Sequence, residues 1–432
     1  MFVSDCLGVD EKGHLTIGGM DTVQLAERYG TPLYVMDENE IRNNCRAFLG
    51  GIEKYYGGNG HVAFACKAFC CKEICRIAAS EGLWLDVVSG GEMHTALAAG
   101  FPAEHLILHG NNKSAAELVQ ALQVGVGRIV VDNIFELKLL NQLAGAAKKR
   151  AKIKLRLKPG VEAHTHNFIR TGQIDSKFGF AIETGEALEA VKKAIALPDL
   201  ELMGLHCHIG SQIFDVSAFR EAAEVMTNFI VKINNELGYQ LCELNLGGGF
   251  GIKYLPEQNP APYESYMQAV SQIVLEICRE NNISVPKIIL EPGRSITGAA
   301  GITLYTIGAV KEIPNIRTYV TVDGGMTDNP RYIMYQSKYD MAIASRAGQP
   351  KTGGYTVAGR CCESGDVLGV DIPLQKPNIG EVLAVLSTGA YNYAMASHYN
   401  RLPKPAIVMV KDGEPRVIVH RESFEDIARN DV

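Results

Sequence analysis

Short apolar runs alternate with amphipathic stretches over the first 290 or so residues. The eight runs are 61–66 (HVAFAC), 84–88 (WLDVV), 106–109 (LILH), 128–132 (RIVVD), 152–157 (KIKLRL), 201–207 (ELMGLHC), 241–246 (LCELNL) and 287–290 (KIIL). Apolar residues recur at helical spacing between them, at 73–80, 115–123, 134–147 and 263–279. Alternating strands and helices predict a parallel sheet. Eight such units match a closed (β/α)8 TIM-like barrel, and an open doubly wound sheet is the alternative.

The pattern changes after about residue 295. Short β-like runs follow at 302–310, 318–322, 352–358, 381–386, 406–411 and 415–420, separated by Gly, Pro, Asn and Asp. They predict a second, mostly antiparallel β domain, of the sandwich or barrel type. A short helix at 22–29 and a strand at 33–36 precede the barrel, and we expect them to join that domain. The predicted domains are therefore 37–294, and 1–36 together with 295–432.

Composition excludes several classes of protein. The formal net charge is −6, so there is no basic surplus for nucleic acid. No apolar segment approaches the ~20 residues of a membrane span, and the N-terminus has no signal-peptide pattern. The 11 cysteines are scattered, which predicts reduced thiols in the cytoplasm. Because no Cys-x-x-Cys pair occurs, we predict no metal site.

The predicted strand ends carry an unusual set of chemical groups. Active groups of a barrel come from the carboxyl ends of its strands. Here those ends hold an amine, carboxylates, a guanidinium and imidazoles, contributed by Lys67, Asp86, Arg156, His206, His208 and Glu291. We expect only one of the two histidines, His206 and His208, to face the barrel mouth.

Two further features at these ends have more than one interpretation. The run Gly247–Gly251 (GGGFG) offers consecutive N–H groups to an anion such as phosphate, with Gly293 and Arg294 as a second face, or is only a tight loop. Lys67 is either a surface lysine or a desolvated amine of lowered pKa, because its neighbours are small or apolar. A neutral amine is what Schiff-base chemistry requires.

The second domain carries a candidate reactive loop, 361–366 (CCESGD). A cysteine with two acids and a glycine suits reactivity, although composition alone favours a polar turn. Asn329, Arg331, Tyr335 and Tyr391 are similarly ambiguous when each is taken singly.

Taken together and in order, these motifs resemble the fold-type III pyridoxal phosphate-dependent decarboxylases. This family contains the diaminopimelate, ornithine and arginine decarboxylases, on an alanine-racemase-like barrel. The most specific motifs are 206–212 (HCHIGSQ), 247–251 (GGGFG), 291–294 (EPGR) and 362–366 (CESGD). The resemblance covers nearly the whole chain, from Lys67 to Tyr391.

The resemblance implies a role for each position around the cofactor. Lys67 would attach pyridoxal 5′-phosphate, His208 would stack on its ring, and Glu291 would keep the pyridine nitrogen protonated. Positions that match the rest of the family's cofactor site are Asp86, Arg156, Ser211, Gly248, Gly249, Gly293, Arg294 and Tyr391. Cys362 would return a proton to the α-carbon from the partner subunit, which implies a homodimer with shared active sites.

The resemblance also implies a small amino-acid substrate, meso-2,6-diaminopimelate, and L-lysine and carbon dioxide as products. Arg294, Arg331 and Tyr335 match positions that hold the distal carboxylate, near Tyr391. Glu363, with Ser364 beside it, matches the group that receives the distal ammonium, whereas ornithine-type enzymes have Asp after the cysteine.

The sequence departs from the family at Phe64, where Tyr is frequent, and at Phe69, where Asn is common; both changes keep the lysine in apolar surroundings. The segment 167–180 after His166 resembles one near the family's active-site mouth. The alternatives are a decarboxylase of ornithine, arginine, carboxynorspermidine or a carrier-linked amino acid, a racemase-like isomerase, and a non-catalytic pyridoxal phosphate protein. A racemase needs a second base, which no motif supplies, and a non-catalytic homologue would have lost Lys67 or Cys362.

Overall fold

The computed structural model describes residues 2–161 and 175–432. The segment 167–180 singled out in the sequence therefore lies mostly outside the described residues. The chain divides into two compact units. The barrel unit comprises Asn44–Gly251 and Pro260–Gly293, and the β unit comprises Met1–Asn43, Ile252–Asn259 and Arg294–Val432.

The secondary-structure elements follow one another along the chain. The strands are β1 Leu7–Val9, β2 Leu15–Ile17, β3 Met20–Asp21, β4 Leu33–Asp37, β5 Gly60–Ala65, β6 Trp84–Val87, β7 Leu106–Leu108, β8 Arg128–Val131, β9 Ala151–Lys158, β10 Phe180–Ala181, β11 Leu200–Cys207, β12 Glu243–Asn245, β13 Lys287–Leu290, β14 Gly301–Ile313, β15 Arg317–Val322, β16 Met341–Ile343, β17 Gly353–Ala358, β18 Val367–Leu374, β19 Val382–Val385, β20 Ala406–Lys411 and β21 Glu414–Val419. The α-helices are α1 Thr22–Tyr29, α2 Glu38–Tyr56, α3 Lys72–Ser80, α4 Gly90–Ala98, α5 Ala115–Val124, α6 Ile134–Ala146, α7 Glu186–Ala196, α8 Val216–Leu237, α9 Tyr263–Glu280, α10 Arg294–Thr297, α11 Arg331–Tyr335 and α12 Phe424–Ala428.

Eight of these strands close into a parallel barrel. The order is β5-β6-β7-β8-β9-β11-β12-β13, and β13 pairs with β5 to complete the ring. Each strand coincides with one of the eight apolar runs, which confirms the predicted barrel and excludes the open sheet. The two-residue strand β10 adds to β9 from outside the ring.

Polar N-cap residues mark the start of three helices that follow barrel strands. Ser89, Ser114 and Asn133 cap α4, α5 and α6, each accepting a hydrogen bond from a backbone N–H of the first turn. Ser114 and Glu117 form a reciprocal capping box. Only two residues connect β6 to α4, and only two connect β8 to α6.

Charged residues fill part of the barrel interior near the amino ends of the strands. Lys154 is fully buried, and its Nζ lies 3.0 Å from Glu243 Oε2. Arg128 Nε donates to the same carboxyl oxygen at 3.0 Å. A buried charge is tolerated only when it is paired, as here. Because barrel catalysis occurs at the opposite, carboxyl end, this triad has a structural role.

The β unit contains a mixed sheet that is mostly antiparallel, as predicted. Its order is β18-β17-β15-β14-β4-β20-β21, with β16 and β19 branching from β14. The pairs β15–β17 and β4–β20 are parallel. Strand β4 lies between β14 and β20, so the opening segment is part of this sheet. The sequence did not predict β18, where Asp371 has a left-handed φ of 53° and register shifts interrupt the pairing with β17.

None of the helices in the described parts of the chain is both long and apolar enough to span a bilayer.

A buried carboxyl group organises the turn that precedes α11. Asp328 is 2% exposed and accepts hydrogen bonds from the hydroxyls of Tyr305 and Thr327 and from the Gly325 N–H. Burial raises the pKa of Asp328 from 3.8 to about 7. The folded protein therefore favours the protonated carboxyl group more than the unfolded chain does.

The raised pKa predicts a pH dependence of stability. A group that binds its proton more tightly in the folded state contributes stability that is lost as the pH rises, here between about 4 and 7. We expect the urea unfolding free energy to fall between pH 5 and pH 8, and to fall less in Asp328→Asn, which cannot ionise. Asp371→Asn, at an exposed position, is the matched control and should keep the wild-type dependence. An equal dependence in Asp328→Asn and wild type would contradict this assignment.

Candidate active site

The carboxyl ends of five barrel strands bring the predicted groups together. Asp86 lies on β6, Arg156 on β9 and His206 on β11, while Lys67 and Glu291 follow β5 and β13. Arg156 and His206 are paired in register on adjacent strands. Burial is the largest influence on the pKa values of Asp86 and His208. The charge on Lys67 is a further influence on both values. The predicted cluster at the barrel mouth is therefore present.

Three side chains hold the Glu291 carboxylate. His109 Nε2 donates to Oε1 at 2.8 Å, and Asn245 Nδ2 donates to the same oxygen at 2.6 Å. His206 Nε2 donates to Oε2 at 3.1 Å. Burial alone would raise the pKa of Glu291, but His109 and His206 hold it well below its usual range. Glu291 is therefore a buried anion.

Both histidines of the HCH motif lie at this end of the barrel, so the expectation that only one would do so is wrong. Burial lowers the pKa of His206 to about 3, so its ring is neutral and its proton is assigned to Nε2. His208 Nδ1 accepts a hydrogen bond from the Gly248 N–H at 3.2 Å, and burial also keeps the pKa of His208 well below normal. Side chains two residues apart on an extended strand point to the same face, so alternation along β11 does not separate His206 from His208.

Asp86 and Arg156 add one carboxylate and one cation. Asp86 Oδ1 lies 3.7 Å from His109 Nε2 and, among the described residues, has no hydrogen-bond partner. Burial raises the pKa of Asp86. The Arg156 guanidinium lies 4.1 Å above the Phe178 ring, and its Nε lies 3.9 Å from Asp132 Oδ1.

The glycine run lies in a tight turn after β12. A Cβ on Gly248 would lie 2.1 Å from the Glu291 carbonyl oxygen. Gly249 has a φ of 111°, and a Cβ there would lie 2.5 Å from the Gly210 carbonyl oxygen. A Cβ on Gly293 would come within 3.0 Å of Ala65 and Ala68. Close packing thus excludes side chains at these positions, and binding of phosphate by this turn and by Ser211 remains a prediction.

Lys67 lies on a 3-10 turn, Cys66–Ala68, directly after β5. Its neighbours Cys66 and Ala68 are buried, as are Phe64 and Phe69, but the Lys67 side chain is exposed. The lowered pKa of the Lys67 amine therefore stays a prediction.

The β unit has a separate cluster of two buried arginines and three tyrosines. Arg294 Cζ lies 4.8 Å from the Tyr391 ring centre, and Arg331 Cζ lies 5.6 Å from the same ring. Both also lie near Tyr254, whose hydroxyl accepts a hydrogen bond from Arg294, and Arg331 lies 5.5 Å from Tyr335. Within the described residues, the buried Arg331 Nε has no hydrogen-bond partner. Such a pair of guanidinium groups suits a carboxylate.

The CCESGD loop is exposed, and hydrogen bonds to its first residues and its last residue hold it in place. Asp366 accepts hydrogen bonds from the backbone N–H groups of Cys361 and Met326, both at 2.7 Å. The Cys362 N–H donates to Asn400 Oδ1 at 2.7 Å. Cys362, Glu363 and Ser364 are exposed. The loop is thus a polar turn that presents these three side chains to solvent.

Sequence reasoning missed two residues that hold Glu291. His109 follows β7 and Asn245 ends β12, so both stand at carboxyl ends of predicted strands. The rule that found Lys67 and Asp86 could have found them too. Neither residue stands in one of the four most specific motifs.

A family model described as "Pyridoxal-dependent decarboxylase, pyridoxal binding domain" matches residues 39–298, more than half of the chain. The chain belongs to this family. Diaminopimelate decarboxylase of Halalkalibacterium halodurans is 48% identical over 432 residues, covering 100% of this chain and 98% of that protein. The Bacillus subtilis enzyme of the same name is 46% identical with the same coverage. A crystal structure of diaminopimelate decarboxylase from M. jannaschii with L-lysine matches with a TM-score of 0.93 and 33% identity, covering 100% of this chain and 99% of that one. These similarities confirm the predicted family and the two-part fold.

The cofactor of this decarboxylase family is pyridoxal phosphate, and the barrel mouth fits it. The Glu291 anion suits a protonated ring nitrogen, and the exposed Lys67 amine suits the aldehyde. Asp86 Oδ1, buried and without a partner in the described structure, offers a further acceptor. Any side chain at Gly248 or Gly249 would clash with neighbouring backbone atoms. The glycine turn therefore exposes backbone groups rather than side chains.

The Glu291 contacts predict a stability cost for losing Asn245. A hydrogen bond to a buried charge contributes more than one to a neutral group, so Asn245→Ala should lower the unfolding free energy by about 1.5–3 kcal/mol. The matched control is Asn59→Ala, whose side chain donates to the neutral Pro286 carbonyl at 3.3 Å and should cost about 1 kcal/mol or less. Urea unfolding of both variants makes the comparison, and equal costs would count against the buried anion.

Proposed function

We propose that this chain decarboxylates meso-2,6-diaminopimelate to L-lysine and carbon dioxide, in lysine biosynthesis. The observation that carries the substrate is the buried Arg294 and Arg331 pair among tyrosines, because a distal carboxylate would satisfy the unpartnered Arg331 Nε. The similar proteins of Halalkalibacterium halodurans and Bacillus subtilis, both diaminopimelate decarboxylases, support the same substrate.

The barrel unit supplies most of the groups that the proposed chemistry uses. When bound, pyridoxal phosphate supplies the electron sink that lets carbon dioxide leave. Lys67 provides the amine that holds the cofactor. Glu291, kept anionic by His109 and His206, keeps a proton on the ring nitrogen, and the neutral His208 ring covers one face. Ser211 and the glycine turns, with Tyr391, hold the phosphate, while Asp86 and Arg156 support the other side.

The proposed specificity resides in the β unit. Arg294, Arg331 and Tyr335 hold the distal carboxylate, and Glu363, beside Ser364, receives the distal ammonium. Ornithine has no distal carboxylate, so it would leave the buried arginines without an anion. A site built around polar partners rejects a substrate that lacks them. This argument favours diaminopimelate over the other amino acids that the family uses.

The proposed proton donor is Cys362, acting from the partner subunit of a homodimer. Its exposure on a fastened loop supports this role, because a thiol must be accessible to reach another subunit's substrate. We further propose a cytoplasmic location. All 11 cysteines are free in the structure, as expected in a reducing compartment.

Purified protein with pyridoxal phosphate should release lysine from meso-diaminopimelate and no amine from ornithine or arginine, as measured by chromatography. Lys67→Ala should lower this rate at least about 10³-fold, because the cofactor amine is lost. Lys72→Ala, at the start of α3 in the same unit, is the matched control and should keep near-normal activity. Lysine release by Lys67→Ala at the normal rate would refute the role of Lys67. Amine formed from ornithine alone would refute the proposed substrate.

Cys362→Ala should mainly lower kcat, because the thiol acts after substrate has bound. Cys361→Ala removes the neighbouring thiol and should have little effect. If each site uses Lys67 of one subunit and Cys362 of the other, random exchange between the two inactive variants should restore about a quarter of wild-type activity. A change confined to KM would contradict the proton-donor role. The absence of restored activity in hybrids verified by native mass spectrometry would contradict shared sites.

A further inference from the structure

Three cysteines of the barrel unit form a compact thiol cluster beside Lys67. The Sγ atoms of Cys66, Cys70 and Cys75 all lie within 4.8 Å of one another. All three are free thiols, with Cys66 and Cys75 buried and Cys70 partly exposed. The proposed function assigns no role to any of them. The cluster is accessible from solvent through Cys70.

The backbone explains how the three thiols converge. Cys66 begins the 3-10 turn after β5, and Phe69 then adopts an extended conformation, with φ −161° and ψ 120°. Cys71, the residue before α3, is also extended, and Cys75 lies in that helix. Three residues separate Cys66 from Cys70 and four separate Cys70 from Cys75, so the search for Cys-x-x-Cys that predicted no metal site overlooked them.

Ordinary core packing accounts for a single buried cysteine, which behaves as a small apolar side chain. Cys45 and Cys278 of the same unit are of this kind, each buried outside the cluster. Three sulfur atoms that point at one another are a different arrangement. The partly exposed Cys70 gives this arrangement an opening to solvent, which a fully buried packing contact lacks.

We propose that Cys66, Cys70 and Cys75 together bind one thiophilic metal ion, with Cu(I) as the best match. Three sulfur atoms about 2.3 Å from one ion in a plane are about 4.0 Å apart, within the observed spacing. Soft thiolate ligands favour Cu(I) and Zn(II). Zinc normally takes four ligands, and the cluster offers three among the described cysteine, histidine and acidic side chains. Binding releases the protons of the coordinating thiols.

The ion would join both ends of the segment that carries Lys67. Cys66 precedes Lys67 directly, and Cys70 follows three residues later. Occupancy would therefore restrict the turn and couple thiophilic metals to the position of the lysine. This consequence rests on the proposed function, whereas binding of the ion does not.

The test measures metal rather than activity. Holoenzyme is prepared without oxygen, with Cys361→Ser and Cys362→Ser to remove two other thiols, and dialysed against Cu(I) buffered by a chromogenic chelator. Mass spectrometry of the metal should give one Cu(I) per chain. Cys70→Ser and Cys75→Ser should each weaken binding at least about 10-fold. Cys71→Ser removes a buried thiol next to the cluster and is the matched control, which should bind as its parent does.

Unchanged Cu(I) affinity in Cys70→Ser, or an equal loss in Cys71→Ser, would overturn the site. Tighter binding of Zn(II) than of Cu(I) in the same dialysis would overturn the copper assignment. Circular dichroism verifies that each variant is folded. If Cys75→Ser does not fold, Cys70→Ser decides the question, because its side chain is partly exposed and its loss leaves no closed cavity. Lysine release, measured separately, tests the proposed function independently of metal binding.

Discussion

The site depends on one buried negative charge, the carboxylate of Glu291. A carboxylate without partners would take up a proton at this depth, because burial penalises its charged form. His109, Asn245 and His206 come from or directly follow three different strands and together supply three hydrogen bonds. Only a closed parallel barrel presents those three strand ends to a common point. The fold and the ionisation state of the site are therefore linked.

Charge is divided between the two units in a way that suits their chemistry. The barrel unit concentrates imidazoles and carboxylates around an anion, whereas the β unit buries two guanidinium groups among aromatic rings. Tyr391, which lies near both guanidinium groups, has a φ of 61°. A tyrosine in the left-handed region costs about 1–3 kcal/mol, so the surrounding structure must hold it there. Such strain is typical of positions where geometry matters more than stability.

The same strand end carries two kinds of chemistry within ten residues. Lys67 extends from the turn after β5, while the cysteines on either side of it point into a common cluster. A short 3-10 turn, Cys66–Ala68, and the extended residue Phe69 that follows it separate Lys67 from Cys70. A regular helix starting at Cys66 would have given these side chains the even spacing around a helix axis that every helix imposes.

The sequence by itself determined the eight barrel strands, the barrel and the family. Apolar runs of four to seven residues coincide with all eight barrel strands, since burial on both faces requires continuous apolar residues. The motifs also selected the candidate site residues, from Lys67 to Tyr391. Only the tertiary structure decided how those residues meet: the hydrogen bonds from His109 and Asn245, the exposure of Lys67, and the convergence of three thiols. These depend on distances between residues far apart in the chain or on the directions of single turns, which residue spacing does not encode.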